Sequence, residues 1–136
     1  AQECPTIIEH NLEIQTQDGL MNTFVTHPEE NGPFPVVLFY MDAPGKREEL
    51  HDMARRIATT GYVVVLPNLY YRRTKAFVWD RSDAAMKAMF EMTKHLSLEL
   101  IMQDTAALFD FVDHFESGDI QQLQSHLKHL ILWGAH

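Results

Sequence analysis

The sequence has little cysteine, no long apolar run and few basic residues. Cys4 is the only cysteine among the 136 residues, so neither an intrachain disulfide nor a four-thiolate zinc site can form. The longest apolar runs, residues 35–40 and 62–66, fall far short of the roughly 20 residues that span a bilayer. The start of the chain also lacks the basic and apolar regions of a secretory signal. We therefore expect a cytoplasmic protein with no membrane association.

The charge balance excludes one large class of partner. Lys and Arg number 11 against 19 Asp and Glu, which gives a formal net charge of −8. Nucleic acid is disfavoured as the main partner, because binding to it is driven by neutralising phosphates. With 46% hydrophobic and 22% charged residues, the composition is that of a globular protein. We expect one domain over residues 1–136, which is long enough to bury a core without disulfides or a structural metal.

The first part of the chain has the pattern of a hairpin followed by a buried strand. Apolar and polar residues alternate from Ile8 to Ile14, Asp18-Gly19 indicates a tight turn, and residues 21–26 are again β-prone. After a polar loop, residues 36–40 are apolar on both faces, which is typical of a central strand.

A helix and a second buried strand follow. Five apolar residues recur at helical spacing: Leu50, Met53, Ala54, Ile57 and Ala58. Glu48 and Glu49 suit the first turn of this helix, and Gly61 is placed to be its left-handed cap. The strand at residues 62–66 comes at once. Strand, helix and strand with short joints predict a right-handed βαβ unit with parallel strands.

The rest of the chain reads as two helices, over residues 82–96 and 97–115, and a short strand at residues 129–133. One face of the second helix carries Leu98, Ile101, Thr105, Leu108 and Val112. Four methionines at helical spacing suggest either an adaptable binding surface or core packing, and the spacing favours the core. They are Met86, Met89, Met92 and Met102.

In open α/β sheets, ligands bind beyond the carboxyl ends of the strands. This places three segments near a site: residues 41–45, 67–73 and 134–136. The first enters a helix and presents backbone N–H groups that could bind an oxyanion, although an ordinary turn with a solvated Asp42 is an equal alternative. The second puts two aromatic and two cationic side chains after a strand. It suits an anionic small molecule, and a solvated basic loop explains it as well.

Several of these motifs together resemble a known family. Residues 34–71 contain FPVVLFYMDAPG, REEL, MARRIA and GYVVVLPNLYYR. This stretch resembles the N-terminal half of dienelactone hydrolases, which have the α/β-hydrolase fold. The hairpin with TQDG at residues 16–19 and the helix around residues 104–108 fit the same pattern. The resemblance extends over roughly residues 7–115 and implies a partial α/β-hydrolase fold, with a β-hairpin before a parallel βαβ core and flanking helices.

The resemblance implies hydrolysis of a small ester or lactone by a Cys or Ser nucleophile, with a His base, an Asp partner and no cofactor. Asp42 matches the position where the family usually has a Glu that contacts the resting nucleophile. Ala43 matches the residue whose N–H helps to form the oxyanion hole. Candidates for holding an anionic substrate are Tyr70, Tyr71, Arg72, Arg73 and Arg81.

The sequence departs from the family at the nucleophile. No G-x-S-x-G turn or its Cys version occurs. Cys4 has no motif around it and is interpreted as an incidental thiol, and the serines are interpreted as helix caps or polar surface. These are Ser82, Ser97, Ser117 and Ser125.

Two alignments of the last strand are open: His136 occupies the nucleophile position, or the strand is the later one that precedes the triad Asp. Either predicts a chain that stops before the triad is complete. Residues 118–128 fit neither alignment, so a truncation, an alternative product or an altered reading frame near Ser117 is a further hypothesis. We expect the chain to be inactive alone.

Two further hypotheses stay open. His126 and His129 have the i, i+3 spacing of two metal ligands on a helical turn, but scattered surface histidines explain them better, and no metal site is predicted. The alternative to an enzyme is a non-catalytic α/β binding or regulatory module that self-associates through an uncovered sheet edge.

Overall fold

The computed structural model describes residues 6–29, 34–114 and 131–134, with the backbone alone at residues 113–114 and 131–134. Within this part, five strands and three helices follow one another along the chain. They are β1 (Ile7–Thr16), β2 (Gly19–Pro28), β3 (Val36–Tyr40), α1 (Glu48–Thr59), β4 (Val63–Pro67), α2 (Asp83–Lys94), α3 (Leu98–His114) and β5 (Ile131–Gly134).

The strands form one mixed sheet in the order β1-β2-β4-β3-β5. The β1–β2 and β2–β4 pairs are antiparallel, whereas β4–β3 and β3–β5 are parallel. Val37 lies opposite Val64, so the predicted parallel βαβ unit is confirmed. The second strand of that unit begins at Val63, one residue later than expected, and includes Pro67.

The predicted hairpin is confirmed, but its turn lies one residue earlier than expected. Thr16 pairs with Gly19, so Gln17 and Asp18 are the two turn residues. Gly19 is the first residue of β2 and has φ +133°, a conformation that residues with a Cβ rarely adopt. The hydroxyl of Thr16 donates to the carbonyl of Gly19 at 2.8 Å and supports the turn.

Each face of the sheet is covered by one helix. The parallel strands alternate between the two faces, because successive side chains of a strand point to opposite sides. The face covered by α1 contains Phe24, Val37, Phe39, Leu50, Ala54, Ala58, Val64 and Leu66. The face covered by α3 contains Ile14, Met21, Val25, Val36, Leu38, Val63, Val65, Tyr71, Leu108 and Val112.

The helix α1 follows from its sequence. Leu50, Ala54 and Ala58 are buried, as the spacing predicted. Glu48 and Glu49 lie in its first turn, where a negative charge complements the helix dipole. Gly61 has φ +104° and its N–H donates to the carbonyl of Ala58 at 3.0 Å, which confirms it as the left-handed residue that ends the helix.

The predicted burial of the later helices is only partly confirmed. Thr105, Leu108 and Val112 are buried, but Leu98 is 76% exposed and is not a core residue. Periodicity shows which residues share a face, whereas burial requires another element to cover that face.

The prediction of core packing is wrong for two of the four methionines. Met86 is 40% and Met102 58% exposed, while Met89 and Met92 are half-buried. Ala85 is the only buried residue of α2, so Met86 has no core position on that helix, and Met102 lies on the exposed side of α3. No helix of the described residues is long and apolar enough to cross a membrane.

Candidate active site

The loops after β3 and β4 lie at the same edge of the sheet, because these two strands are parallel neighbours. The loop after β3 contains residues 41–47 and leads into α1. The loop after β4 contains residues 68–82 and leads into α2. Two of the three segments that the sequence predicted near a site therefore meet here. The third, residues 134–136, is described only at residue 134.

Arg47 closes the loop after β3. Its Nη1 donates to Oδ1 of Asp42 at 2.5 Å, and its Nη2 donates to Oδ2 at 3.2 Å. The same Nη1 donates to the carbonyl oxygen of Gly45 at 2.9 Å. The side chains of Arg47 and Asp42 are 20% and 28% exposed. Asp42 is thus neither buried nor simply solvated, and the hydrogen bond to it raises the pKa of Arg47.

Tyr70 ties the loop after β4 to the loop after β3. Its hydroxyl donates to the carbonyl oxygen of Ala43 at 2.6 Å, and its ring lies under Gly45, where an added Cβ would stand 3.5 Å from it. Gly45 has φ +92°, and its N–H donates to the carbonyl of Asp42 at 2.9 Å. The Ala43 carbonyl is therefore fixed, while the Ala43 N–H donates to no residue that the structure describes.

Tyr70 remains protonated well above neutral pH and so continues to donate its hydrogen bond. Burial raises the pKa of Tyr70 to about 12, and the negative charge of Asp42 adds to the rise. Asn68 holds the backbone of Tyr70, because its Oδ1 accepts the Tyr70 N–H at 3.0 Å. The Nδ2 of Asn68 in turn donates to Asn22 and to the Thr74 carbonyl, both at 2.9 Å.

Tyr71 and Arg72 belong to a buried network centred on Asp104. Arg72 donates to both carboxylate oxygens of Asp104, at 2.8 and 3.0 Å, and its Nε donates to Asp18 at 2.7 Å. The Tyr71 hydroxyl donates to Asp104 at 2.8 Å and lies 2.7 Å from Oγ1 of Thr16. These contacts join α3 to the loop after β4 and to the hairpin turn, so they position elements of the fold.

Two residues of this region, Asp104 and Arg47, were not predicted from the sequence. A signal existed for Asp104, which follows Ile101 by three residues and so lies on the apolar face of α3. A buried carboxylate needs a partner. For Arg47 the signal was an arginine five residues after Asp42 in a short loop.

A cavity of about 340 Å³ lies beside Tyr70. Its walls are Leu69, Tyr70, Arg72, Arg73, Met92, His95, Leu96 and Leu100. Nη2 of Arg73 lies 2.7 Å from Nδ1 of His95. Asp42 and Ala43 are not among the walls, so the cavity touches their loop only through Tyr70.

The remaining predicted residues have no described contact with the loop after β3 or with the cavity. Arg81 is exposed and has φ +65°. Ser82 and Ser97 are helix caps, as predicted, since they accept the N–H of Ala85 and of Leu100. Several predictions fall outside the described residues: those for Cys4, Ser117, Ser125, His126, His129 and His136.

Comparison with known proteins shows the family of this chain. The model of the dienelactone hydrolase family matches residues 21–125. The chain belongs to the dienelactone hydrolase family. A protein of Methylorubrum extorquens with the provisional name carboxymethylenebutenolidase is 34% identical over 73 residues, which are 54% of this chain and 25% of that protein. The provisional carboxymethylenebutenolidase of Escherichia coli K12 is 35% identical over 60 residues, 43% of this chain and 22% of that protein.

Solved dienelactone hydrolases share the fold. The structure from Klebsiella pneumoniae, provisionally given that name, has a TM-score of 0.74 at 21% identity and is matched over 95% of this chain and 50% of its own. The dienelactone hydrolase of Anabaena variabilis has a TM-score of 0.61 at 18% identity, over 98% and 53%. This chain therefore spans about half the length of the solved structures that it matches.

Proposed function

We propose that this chain forms the oxyanion-binding side of a site that hydrolyses a small carboxylic ester or lactone. Membership of the dienelactone hydrolase family supports the reaction class. The observation that carries the proposal is the loop after β3, where the Ala43 carbonyl is held by Tyr70 while the Ala43 N–H has no acceptor among the described residues. A nucleophile attacking an ester carbonyl creates an oxyanion, and a preorganised N–H stabilises it.

Asp42 has a different part in this proposal. The two hydrogen bonds from Arg47 orient its carboxylate, and its partial exposure leaves the carboxylate accessible. Such a carboxylate can accept a hydrogen bond from a resting thiol or hydroxyl nucleophile, as the resemblance implies for this position. Arg47 is then a positioning residue, because it acts only through Asp42.

The cavity beside Tyr70 is the proposed substrate side. Its four apolar walls and the cationic Arg73 suit a small ester or lactone with an anionic group. Tyr71 and Arg72 hold the fold together through Asp104, so we assign substrate contact to Tyr70 and Arg73 before Arg72 and Arg81. We also propose a cytoplasmic location, with which a single cysteine is compatible.

The first test is turnover by the chain itself. The sequence has no nucleophile elbow, so we expect no hydrolysis of p-nitrophenyl acetate or dienelactone above the buffer rate. Removing the nucleophile leaves only binding and oxyanion effects, which are orders of magnitude weaker than the complete site. Robust turnover that survives replacement of Cys4 would contradict this part of the proposal.

The second test supplies the missing groups. Residues 21–112 replace the matching segment of the Methylorubrum extorquens relative, and circular dichroism establishes that the chimera folds. We expect it to hydrolyse the ester, and Ala43→Pro, which deletes the N–H, to lower kcat by about 100-fold or more. Ala43→Gly keeps the N–H and is the matched control. Equal kcat values for the two folded variants would rule out the assignment of Ala43.

A self-associating binding module is the second candidate, and an exposed stripe on α3 favours it. Leu98, Met102 and Phe109 are 76%, 58% and 42% exposed and recur at i, i+4 and i+11 along one helix face. Light scattering over a concentration series separates the two candidates. Assembly that Met102→Lys abolishes would support the module, whereas a monomer at all concentrations would exclude it.

A further inference from the structure

The ring of Phe77 packs against the loop after β3, although Phe77 itself belongs to the loop after β4. A Cβ added at Gly45 would stand 3.5 Å from Cδ1 of Phe77 and 3.5 Å from Cε2 of Tyr70, so the glycine faces both rings. The two rings also contact each other edge to face, with centroids 5.8 Å apart and an interplanar angle of 69°. Phe77, Tyr70 and Gly45 therefore form one packed cluster, which we call the aromatic clamp.

The Tyr70 side of the clamp holds the Ala43 carbonyl. The Tyr70 hydroxyl donates to this carbonyl at 2.6 Å, so the direction of the Tyr70 ring decides where the hydroxyl points. The hydrogen bond to Asn68 fixes the backbone of Tyr70, whereas the ring is fixed by what packs against it. An edge-to-face aromatic pair prefers a specific geometry and stabilises it beyond the area that it buries. Phe77 therefore acts on Ala43 through the Tyr70 ring.

The Gly45 side of the clamp fixes the direction of the Ala43 N–H. The Asp42 carbonyl accepts the Gly45 N–H at 2.9 Å. This carbonyl and the Ala43 N–H belong to one planar trans peptide unit, in which the C=O and N–H bonds point in opposite directions. Holding Gly45 in place therefore also holds the Ala43 N–H, which is the proposed oxyanion donor.

The segment that carries Phe77 depends on its side chains for attachment. Residues 77–81 belong to no helix or strand. Within the part of the chain that the structure describes, none of their backbone N–H or carbonyl groups bonds to another element. Phe77 is half-buried, whereas the next residue, Val78, is 73% exposed. A segment held in this way opens more readily than one held by backbone hydrogen bonds, so the contact of Phe77 with the clamp should matter.

We propose that Phe77 is a positioning residue for oxyanion binding. Its ring packs Gly45 and Tyr70 together and so supports both hydrogen bonds that orient the peptide groups of Ala43. This inference rests on the proposed function of the Ala43 N–H and adds to it a residue from the loop after β4. A preorganised donor stabilises the oxyanion without moving during the reaction, so loss of Phe77 should weaken binding of the transition state more than binding of the substrate.

The first experiment measures the loop by hydrogen exchange in the 136-residue chain. Phe77→Ala should speed exchange at the Gly45 amide by about tenfold, the level at which an aromatic pair contributes, while exchange in β4 stays unchanged. Phe77→Tyr keeps the ring and should restore slow exchange. Val78→Ala is the matched control, because it shortens the exposed neighbour in the same segment and should change nothing. Unchanged exchange at Gly45 in Phe77→Ala, or equal acceleration throughout β4, would overturn the proposal.

The second experiment uses the chimera with the Methylorubrum extorquens relative. We expect Phe77→Ala to lower kcat by about tenfold with KM nearly unchanged, and Phe77→Tyr to restore kcat. A purely structural role would lower the amount of folded chimera but leave kcat per folded molecule unchanged, and that result would overturn the proposal. A parent chimera without activity would instead count against the proposed function, and exchange at Gly45 would then decide on Phe77 by itself.

Discussion

Two arginine–aspartate pairs lie at this end of the molecule and differ in what they connect. Arg72 and Asp104 are 32 residues apart in sequence and join the loop after β4 to α3. The Asp104 side chain is fully buried. Arg47 and Asp42 are five residues apart and close a single loop, and both are partly exposed. The geometry of the two pairs is similar, since each has two N–H···O bonds to one carboxylate.

The difference shows which carboxylate is available for chemistry. Removing one partner from a buried pair leaves a charge with no water to solvate it, so the pair must stay complete. A partly exposed pair can open, because water replaces each partner at little cost. We therefore assign Asp104 to stability and Asp42 to the proposed site. Variants of each pair test this assignment.

Loss of the Asp104 carboxylate is expected to have the largest effect. Asp104→Ala leaves the Arg72 guanidinium and the Tyr71 hydroxyl without their shared acceptor, so the free energy of unfolding should fall by about 3–5 kcal/mol. Urea denaturation followed by circular dichroism measures it. Glu91→Gln, which breaks an exposed pair with Lys94, should leave the midpoint unchanged. Equal urea midpoints for the two variants would show that the buried pair contributes no more to stability than the exposed one.

The two adjacent tyrosines extend the comparison. Tyr71→Phe removes a hydrogen bond to a buried carboxylate and should cost about 2 kcal/mol, whereas Tyr70→Phe removes a bond to the neutral Ala43 carbonyl and should cost about 1 kcal/mol. Both rings are almost fully buried, so their packing is retained in Phe. Urea denaturation of the two variants measures both losses of unfolding free energy. A larger loss in Tyr70→Phe than in Tyr71→Phe would contradict the comparison.

The same tyrosines should make stability fall at alkaline pH. Burial is the main cause that raises the pKa values of Tyr70 and Tyr71 to about 12, whereas an unfolded chain ionises near pH 10. A raised folded-state pKa contributes stability that is complete below pH 10 and is lost between about pH 10 and 12. Urea midpoints across this range should fall less steeply in a Tyr70→Phe, Tyr71→Phe double variant. Parallel slopes would exclude this origin.

The smallest global effect is expected at Asp42. Asp42→Asn weakens a partly exposed pair and should lower the free energy of unfolding by about 1 kcal/mol or less. The change should instead be local, because the pair closes one loop: hydrogen exchange at the Gly45 amide should become faster, while exchange in β4 stays as it was. Faster exchange throughout the sheet would show that this pair, too, supports the whole fold.

Most of the fold was predictable because its signals are local. Alternation from Ile8 to Ile14 predicted the hairpin, and two wholly apolar runs predicted β3 and β4. Leu98 and Met102 were not predictable in this way, since helical spacing puts them on a face but does not say whether an element covers that face. Both residues stay exposed in the structure, Leu98 at 76% and Met102 at 58%.

For the candidate site, the sequence predicted which loops form it but not which side chains bind one another. The rule that ligands lie beyond strand ends placed Asp42 and Tyr70 near each other, and the structure joins their loops through the Ala43 carbonyl. The partner of Asp42 and the buried role of Asp104 were missed. Spacing put Asp104 on the apolar face of α3 and Arg47 in the same short loop as Asp42, but the atoms that these side chains bind depend on their directions in space.

The strands, the helix between them, the family and the lack of a nucleophile elbow can be read from these 136 residues, because each is a pattern over a few consecutive residues. The burial of Asp104 and the hydrogen bond from Tyr70 to the Ala43 carbonyl appear only in the folded chain. These depend on residues brought together from distant parts of the chain, and burial then sets how strongly each charge or hydrogen bond acts.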